Sequence, residues 1–271
     1  ANCLVGSEMC IRDSLYTEMI VANAIIRGDR KKLLSFKKIQ NPVTLQVGGS
    51  NESELAEACR ISEQYGYKEI NLNLGCPSKK VQKNKFGACL MQEPKLVARC
   101  IESMAKATKL PITIKTRIGY NDVEDFEFLK SFIQTTKDAG SQKFIIHARK
   151  ALLKKLTPKE NLNIPPLKYD FVYKLKDFFK NDEIIINGGI KTSGDIKNHL
   201  KKVDGVMIGR AIYHSPYFLA EIEREVFGND NIPTRSEVME KLIPYIQEET
   251  AKGVQLNHIM RHTVGLFHGQ N

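Results

Sequence analysis

The chain has 271 residues, 42% of them hydrophobic and 27% charged, so one large α/β domain, or a barrel with a small appendage, fits its length. Its formal net charge of +10 favours a polyanionic partner such as nucleic acid, although a solvated lysine-rich surface would give the same charge. No apolar run is long enough to span a bilayer, residues 1–14 lack the features of a secretory signal, and no C-x-x-C pair is present. We therefore expect a cytoplasmic protein with no membrane partner and no disulfide framework.

Short apolar runs alternate with amphipathic segments along most of the chain. We predict strands at 16–21, 43–48, 69–74, 112–118, 143–148, 183–188 and 205–209. We predict helices between them at 50–66, 94–108, 123–140, 169–180 and 193–202, the first capped by Ser50 or Asn51. This alternation predicts an α/β fold with a parallel sheet, and the spacing favours a (β/α)₈ TIM barrel over an open sheet.

The two ends of the chain depart from the barrel pattern. An eight-stranded barrel is one strand short, and the gap lies before Leu15, because residues 1–14 do not form a good strand. We therefore expect a barrel domain at 15–232 and the start of a truncated helical domain at 233–271. His258 and His262 have the spacing of metal ligands on a helix, but no third ligand accompanies them. We expect an ordinary helix surface there, and no metal.

Polar residues follow almost every predicted strand. In barrels of this type the functional site lies at the carboxyl ends of the strands. Those ends carry Gln46, Asn73 with Cys76, Lys115 with Arg117, and His147 with Arg149. Polar side chains at so many strand ends predict a ligand-binding site at this end of the barrel, its mouth.

The last two predicted strands end in glycine turns, Asn187-Gly188-Gly189 and Gly209-Arg210. Glycine lets backbone N–H groups approach an anion, and Arg210 could add a bidentate contact. For each motif alone, a tight turn without a ligand is the alternative, but the two motifs together favour a phosphate site.

No G-x-G-x-x-G follows the first predicted strand, so a Rossmann site is unsupported. Flavin mononucleotide (FMN) fits, with Gln46 and Lys115 to meet the edge of its ring.

Cys76 lies at the end of the strand in "EINLNLGCPSKKVQKNKFGACLM". An ordinary thiol, with a pKa of about 8.5, can donate a proton or act as a nucleophile. A small buried hydrophobic residue is the alternative. Gly75 and Pro77 fix the turn around Cys76, and Asn73 projects to the same side, which favours a functional role. Cys89 lies among apolar residues and is predicted to serve packing.

These motifs resemble the flavin-dependent tRNA-dihydrouridine synthases. "INLNLGCPSKKVQKNKFGACLM" is similar to the family signature, and "KTRIGYND", "FIIHARKALLKKLTPKENLNIPPL", "INGGI" and "DGVMIGRAIY" resemble its DusA branch, over about residues 15–271. The resemblance implies an FMN-carrying barrel followed by a helical domain that grips tRNA. It implies that NADPH reduces the flavin, that hydride passes from N5 to C6 of a D-loop uridine, at position 20 or 20a, and that a cysteine protonates C5.

The resemblance also assigns roles by motif match. Cys76 would be the acid, and Asn73 would help to hold the uracil. Lys159 of the "PKEN" segment, together with Lys79 and Lys80, would contact tRNA. FMN would be held by Gln46, Lys115, His147, Asn187, Gly188, Gly189, Gly209 and Arg210.

Two features depart from the family pattern. Residues 1–14 lack the family's Ala-Pro-Met-type turn, and the chain stops inside the helical part. Two alternatives therefore stay open: a flavin barrel that reduces a free pyrimidine or another small conjugated substrate, and an incomplete, inactive fragment that binds RNA without flavin. The sequence does not fix the oligomeric state, for which a monomer is the default expectation.

Overall fold

The fold is an α/β architecture built on one parallel sheet. In the computed structural model, residues 14–36, 42–261 and 263–267 are described. The strands are β1 (Leu15–Tyr16), β2 (Ile20–Val21), β3 (Val43–Gly48), β4 (Glu69–Asn73), β5 (Ile112–Arg117), β6 (Lys143–His147), β7 (Glu183–Asn187) and β8 (Gly205–Met207). Both β1 and β2 pair with β3, and the sheet then runs β4, β5, β6, β7, β8, always with parallel neighbours. The α/β class is confirmed, and this curled sheet is consistent with a (β/α)₈ barrel.

The segment predicted as one strand at 16–21 forms two short strands, β1 and β2, beside β3. Residues between them leave the regular ladder, and the Thr17 hydroxyl accepts a hydrogen bond from the Gln46 backbone N–H at 3.0 Å. A side chain therefore replaces a backbone carbonyl in the ladder, which interrupts the strand. The strand expected before Leu15 would fall in residues 1–13, outside the described part of the chain.

The helices up to residue 200 lie between the strands, as the alternation predicted, and the later helices follow β8. They are α1 (Ala22–Arg27), α2 (Arg30–Leu34), α3 (Glu52–Glu63), α4 (Lys79–Lys83), α5 (Pro94–Ala107), α6 (Phe126–Asp138), α7 (Tyr169–Phe178), α8 (Ser193–Leu200), α9 (Arg210–His214), α10 (Phe218–Phe227), α11 (Arg235–Ala251) and α12 (Leu256–Met260). The Asn51 side chain caps α3 by accepting the Glu54 N–H. None of the helices in these described ranges is long and apolar enough to cross a membrane.

The main core fills the space between the sheet and its helices. Fully buried members include Leu45, Leu72, Ile114, Phe132 and Phe144. Every residue of β3 and β4 is buried, because the strands are covered on both faces. This packing fixes the strand ends, and so it fixes the site above them.

The segment after residue 233 is helical, and α11 begins with a capping box between Thr234 and Glu237. Val238 and Leu242 form a small second core with Leu266. The Arg235 guanidinium stacks over the Tyr217 ring at 4.0 Å. These contacts join the helical segment to the residues that follow β8.

Candidate active site

A cavity of about 850 Å³ lies at the carboxyl ends of the strands. This volume is within the usual range for small-molecule and cofactor sites. Most of the predicted site residues line it: Asn73, Cys76, Lys115, His147, Asn187, Gly188, Gly189, Gly209 and Arg210. Residues from β4, β5, β6, β7 and the turn after β8 therefore meet at one mouth, where the strand-end argument placed them.

Asn73 organises the turn that presents Cys76. Its side-chain carbonyl accepts the backbone N–H groups of Gly75 at 3.1 Å and of Cys76 at 3.0 Å. Its amide nitrogen donates to Gln46 Oε1 at 2.8 Å. Asn73 is therefore committed to protein partners through both ends of its amide, and it fixes the place where the thiol leaves the strand.

The other side of the cysteine turn rests on the 3₁₀ helix Gly87–Gln92. The Cys76 carbonyl accepts the Ala88 N–H at 2.9 Å. Gly87 has a φ of +75°, and a Cβ added there would come within 2.7 Å of that carbonyl. Only glycine allows this close approach, which explains the "FGA" that follows the lysine-rich stretch.

Gln46 does not line the cavity, although it was predicted to bind the cofactor. It is buried below the mouth, where Nε2 donates to Asn71 Oδ1 at 3.0 Å and Oε1 accepts from Asn73. The polar chain continues from Asn71 through Thr113 to Glu69. Gln46 therefore supports Asn73 from below.

Lys115 brings a cation into the mouth without a protein counter-ion. Within the described ranges its ammonium group makes no hydrogen bond or ion pair. Burial, and then the charge of Arg117, lower its pKa from 10.5 to about 8. A lone ammonium group on the floor of a cavity favours an electron-rich or anionic ligand.

Arg117 lies two residues further along β5 and lines the same cavity. It was noted at the strand end but given no role. Nε donates to the Gly75 carbonyl at 2.9 Å, and Nη1 donates to the carbonyls of Lys150 at 3.1 Å and Asn161 at 3.2 Å. Burial lowers its pKa to about 10. The i, i+2 spacing from Lys115 was the available signal, because such residues share one face of a strand.

His147 is buried and neutral. Burial, followed by the charges of Arg117 and Lys115, lowers its pKa to about 2. Its Nδ1 atom has no hydrogen-bond partner in the described structure, and neither has Nη1 of the nearby Arg149. Buried polar atoms without partners are rare in folded proteins, so the Nδ1 atom of His147, which lines the cavity, fits a site that a polar ligand completes.

The turn after β7 has a backbone conformation that favours glycine at two successive positions. Gly188 and Gly189 have φ values of +115° and +74°. The Tyr169 hydroxyl donates to the Gly188 carbonyl at 2.8 Å, and Asn187 Nδ2 donates to the Met207 carbonyl at 2.8 Å. These bonds hold the turn beside the end of β8 and orient its peptide groups.

The turn after β8 contributes open space and a cation. A Cβ added at Gly209 would meet nothing within 4 Å. Arg210 donates to Asn163 Oδ1 at 2.7 Å and to the Leu162 carbonyl at 3.1 Å. Arg210 therefore also tethers the loop after β6, a role that the sequence did not reveal.

The residues around this mouth fit FMN. Lys115 offers an unpaired cation and His147 an unpaired buried nitrogen, while Gly209 leaves open space beside Arg210 for a phosphate. The lining also includes Lys191, His214 and Glu221, which the sequence analysis did not select. Lys191 lies in the turn before α8, His214 at the end of α9 and Glu221 in α10. The strand-end rule does not indicate these positions.

The other predicted residues lie outside the cavity. Lys79 and Lys80 are exposed in α4, and Lys159 is exposed in the loop after β6. Cys89 is half-buried, its thiol donates to the Phe86 carbonyl at 3.1 Å, and burial raises its pKa. His262 lies outside the described residues, and in the described ranges no group of three potential metal ligands is found.

Comparison with known proteins agrees with this geometry. The family model described as "Dihydrouridine synthase (Dus)" matches residues 7–271. A Synechocystis protein named "tRNA-dihydrouridine(20/20a) synthase" is 49% identical over 257 residues, which are 94% of this chain and 77% of that protein. Proteins of the same name from Vibrio parahaemolyticus and Xanthomonas campestris are 49% and 46% identical, and each match covers at least 93% of this chain and 76% of the relative. The chain therefore belongs to the dihydrouridine synthase family.

Proposed function

We propose that this chain is a tRNA-dihydrouridine synthase that reduces the C5=C6 bond of D-loop uridines at positions 20 and 20a. The observation that carries the proposal is the placement of Cys76. Its thiol is on a rigid turn at the rim of a cavity whose floor holds Lys115 and His147. An acid on one side of a ligand-sized space, with the Lys115 cation and the neutral imidazole of His147 on the other, suits reduction of a conjugated base.

The reaction needs a hydride for C6 and a proton for C5. Bound FMN, reduced by NADPH, would supply the hydride. Lys115, His147, the turn Asn187–Gly189 and Gly209-Arg210 would hold that cofactor, with Gln46 acting through Asn73. Cys76 would release its proton to C5, and Lys115 and Arg117 would stabilise the thiolate that remains.

The uracil must leave its stack before it can reach this thiol, because C5 and C6 are covered in a stacked base. The cavity volume of about 850 Å³ would accommodate one splayed base beside a cofactor. Asn73 lines the cavity, and within the described residues its bond to Gln46 uses one amide hydrogen and leaves the second without a protein partner. That hydrogen is available to a uracil carbonyl.

Exposed lysines beside the mouth would bind the tRNA backbone. Lys79, Lys80 and Lys159 make no ion pair with any described residue, whereas Lys143, Lys150 and others in the scaffold are paired. Such contacts give affinity that falls with salt and carries no sequence information.

The test is an assay on tRNA that lacks dihydrouridine. The chain is incubated with FMN, NADPH and this tRNA, and dihydrouridine is measured by mass spectrometry of fragments that contain positions 20 and 20a. The Synechocystis relative serves as the positive control. We expect product from tRNA and none from free uridine or uracil. Product from free uridine would support a small-molecule reductase instead, and no product from either would overturn the proposal.

A further inference from the structure

Gln82 joins the cysteine turn to the loop that follows β6. Its side-chain nitrogen donates one hydrogen bond to the Pro77 carbonyl at 2.8 Å and one to the Leu153 carbonyl at 2.9 Å. Pro77 follows Cys76 directly, and Leu153 precedes Lys154 and Lys155. Both hydrogens of one amide are therefore used to bridge the cysteine turn and a loop segment that lies 71 residues from Gln82 in sequence.

Several other contacts make the same junction rigid. Asn121 Oδ1 accepts the Leu153 N–H at 2.9 Å, and Asn121 has a φ of +46°. The Arg117 guanidinium, below, links the Gly75 carbonyl with that of Asn161. Asn161 is fully buried, and its side-chain amide forms hydrogen bonds with backbone groups of the same loop, residues 152–161. The loop and the cysteine turn therefore form one unit, in which Gln82 is the contact nearest the surface.

Unpaired lysines flank this bridge on both sides. One group is on α4 and the residues after it, and the other is on the loop after β6. All are exposed and none makes an ion pair with a described residue: Lys79, Lys80, Lys83, Lys85, Lys154, Lys155 and Lys159. An RNA whose phosphates contact both groups of lysines would therefore bind both of the segments that Gln82 joins.

We propose that Gln82 is a positioning residue, which fixes the Cys76 turn relative to the two lysine-bearing segments so that bound RNA and the proton donor keep one geometry. This inference rests on the proposed function, because it takes the lysines as the RNA contacts and Cys76 as the acid. Gln82 itself would touch neither the base nor the cofactor. Its loss should therefore change turnover more than the binding of either.

The test replaces Gln82 by Met, which keeps the side chain's length but removes both donors, and by Lys, which restores donors to the two carbonyls. At saturating tRNA we expect Gln82→Met to lower kcat by about 10- to 100-fold, the range typical of a small displacement in an active site. We expect KM for tRNA and FMN affinity to change little, whereas Tm should fall because two buried carbonyls lose their donor. Gln82→Lys should recover most of the lost kcat. Gln134→Met, which removes a glutamine bond to Asp138 on the remote helix α6, is the matched control.

A second readout does not depend on turnover. The alkylation rate of Cys76 by iodoacetamide, followed by peptide mass spectrometry, should rise in Gln82→Met, because the turn is loosened, while the rate at Cys89 stays constant. Wild-type kcat in Gln82→Met, or an equal loss in Gln82→Lys, would overturn the inference while leaving the proposed function intact. An inactive wild-type chain would instead count against the proposed function.

Discussion

The side-chain carbonyl of Asn73 lies 3.0 Å from the backbone nitrogen of Cys76 and accepts its hydrogen bond. The last residue of a buried strand therefore holds the residue that carries the thiol. The same oxygen accepts the Gly75 N–H, and the nitrogen of the amide is bonded to Gln46. The position of Cys76 is set from below by side chains of the barrel interior.

Asn73→Ala should lower both stability and turnover. It leaves two backbone N–H groups and Gln46 Oε1 without their partner, which costs about 1–3 kcal/mol for each group that stays buried. We expect a lower free energy of unfolding in urea and a fall of about tenfold or more in kcat. Asn73→Asp keeps the two acceptor bonds and is the control for the turn. Equal kcat for Asn73→Ala and wild type would contradict the role assigned to this amide.

Gly87→Ala should displace the cysteine turn. The added methyl group would meet Val81 Cγ1 at 2.5 Å and the Cys76 carbonyl at 2.7 Å, at a φ of +75°. Gly66→Ala is the matched control, because Gly66 has a φ of +85° but nothing within 4 Å of a Cβ. We expect Gly66→Ala to cost about 1 kcal/mol of stability through backbone strain alone. Gly87→Ala should cost more and should also lower dihydrouridine formation, and equal behaviour of the two variants would refute this account.

Lys115→Met should stabilise the flavin-free protein and weaken FMN binding. Burial holds the pKa of Lys115 at about 8 in the folded chain, against 10.5 ordinarily. Between these values the unfolded chain binds more protons, so the free energy of unfolding should rise with pH from 8 to 10.5. In Lys115→Met the free energy of unfolding should therefore rise less between pH 8 and pH 10.5. The variant should also bind FMN at least about tenfold more weakly. Urea titrations at several pH values and a fluorescence titration with FMN measure both effects, and unchanged FMN affinity would exclude Lys115 from the cofactor site.

Charge reversal at Lys80 or Lys159 should weaken tRNA binding and leave FMN binding unchanged. Each phosphate contact that is lost should also reduce the dependence of log K on log salt by about 0.7 to 0.9. Lys180→Glu is the control, because Lys180 is exposed near the start of β7, at the other end of the barrel from the cavity. Filter binding at several salt concentrations tests this, and an equal effect at Lys180 would indicate nonspecific attraction by the net charge.

The strands and most of the mouth were predictable from sequence. Strand β3 has the predicted bounds, and four of the later strands end within one residue of theirs, because apolar runs bounded by turns are a strong local signal. The strand-end rule found Cys76, Lys115 and His147, since parallel strands all end at one face. A strand was predicted at 16–21, but its interruption was missed, because it depends on a hydroxyl of Thr17 that bonds across the sheet.

The roles of Gln46, Arg210 and Gln82 were not predictable. Each depends on a partner about 25 or more residues away, which a single sequence does not identify. Gln46 was expected to face the cofactor and instead supports Asn73 beneath the mouth. Arg210 was expected to face a phosphate and also holds Asn163. In these cases the residue type was informative, but its contacts were set by the tertiary fold.

The most direct test of the central claim compares dihydrouridine formation by the wild-type chain, Cys76→Ala and Cys89→Ala, each loaded with FMN, on the same unmodified tRNA. A positioned acid typically contributes about 10²- to 10⁴-fold. We predict that Cys76→Ala keeps FMN and tRNA binding but loses turnover by about that factor, while Cys89→Ala stays within about threefold of wild type. Turnover in Cys76→Ala equal to that of the wild type would remove the thiol from the reaction and contradict the account.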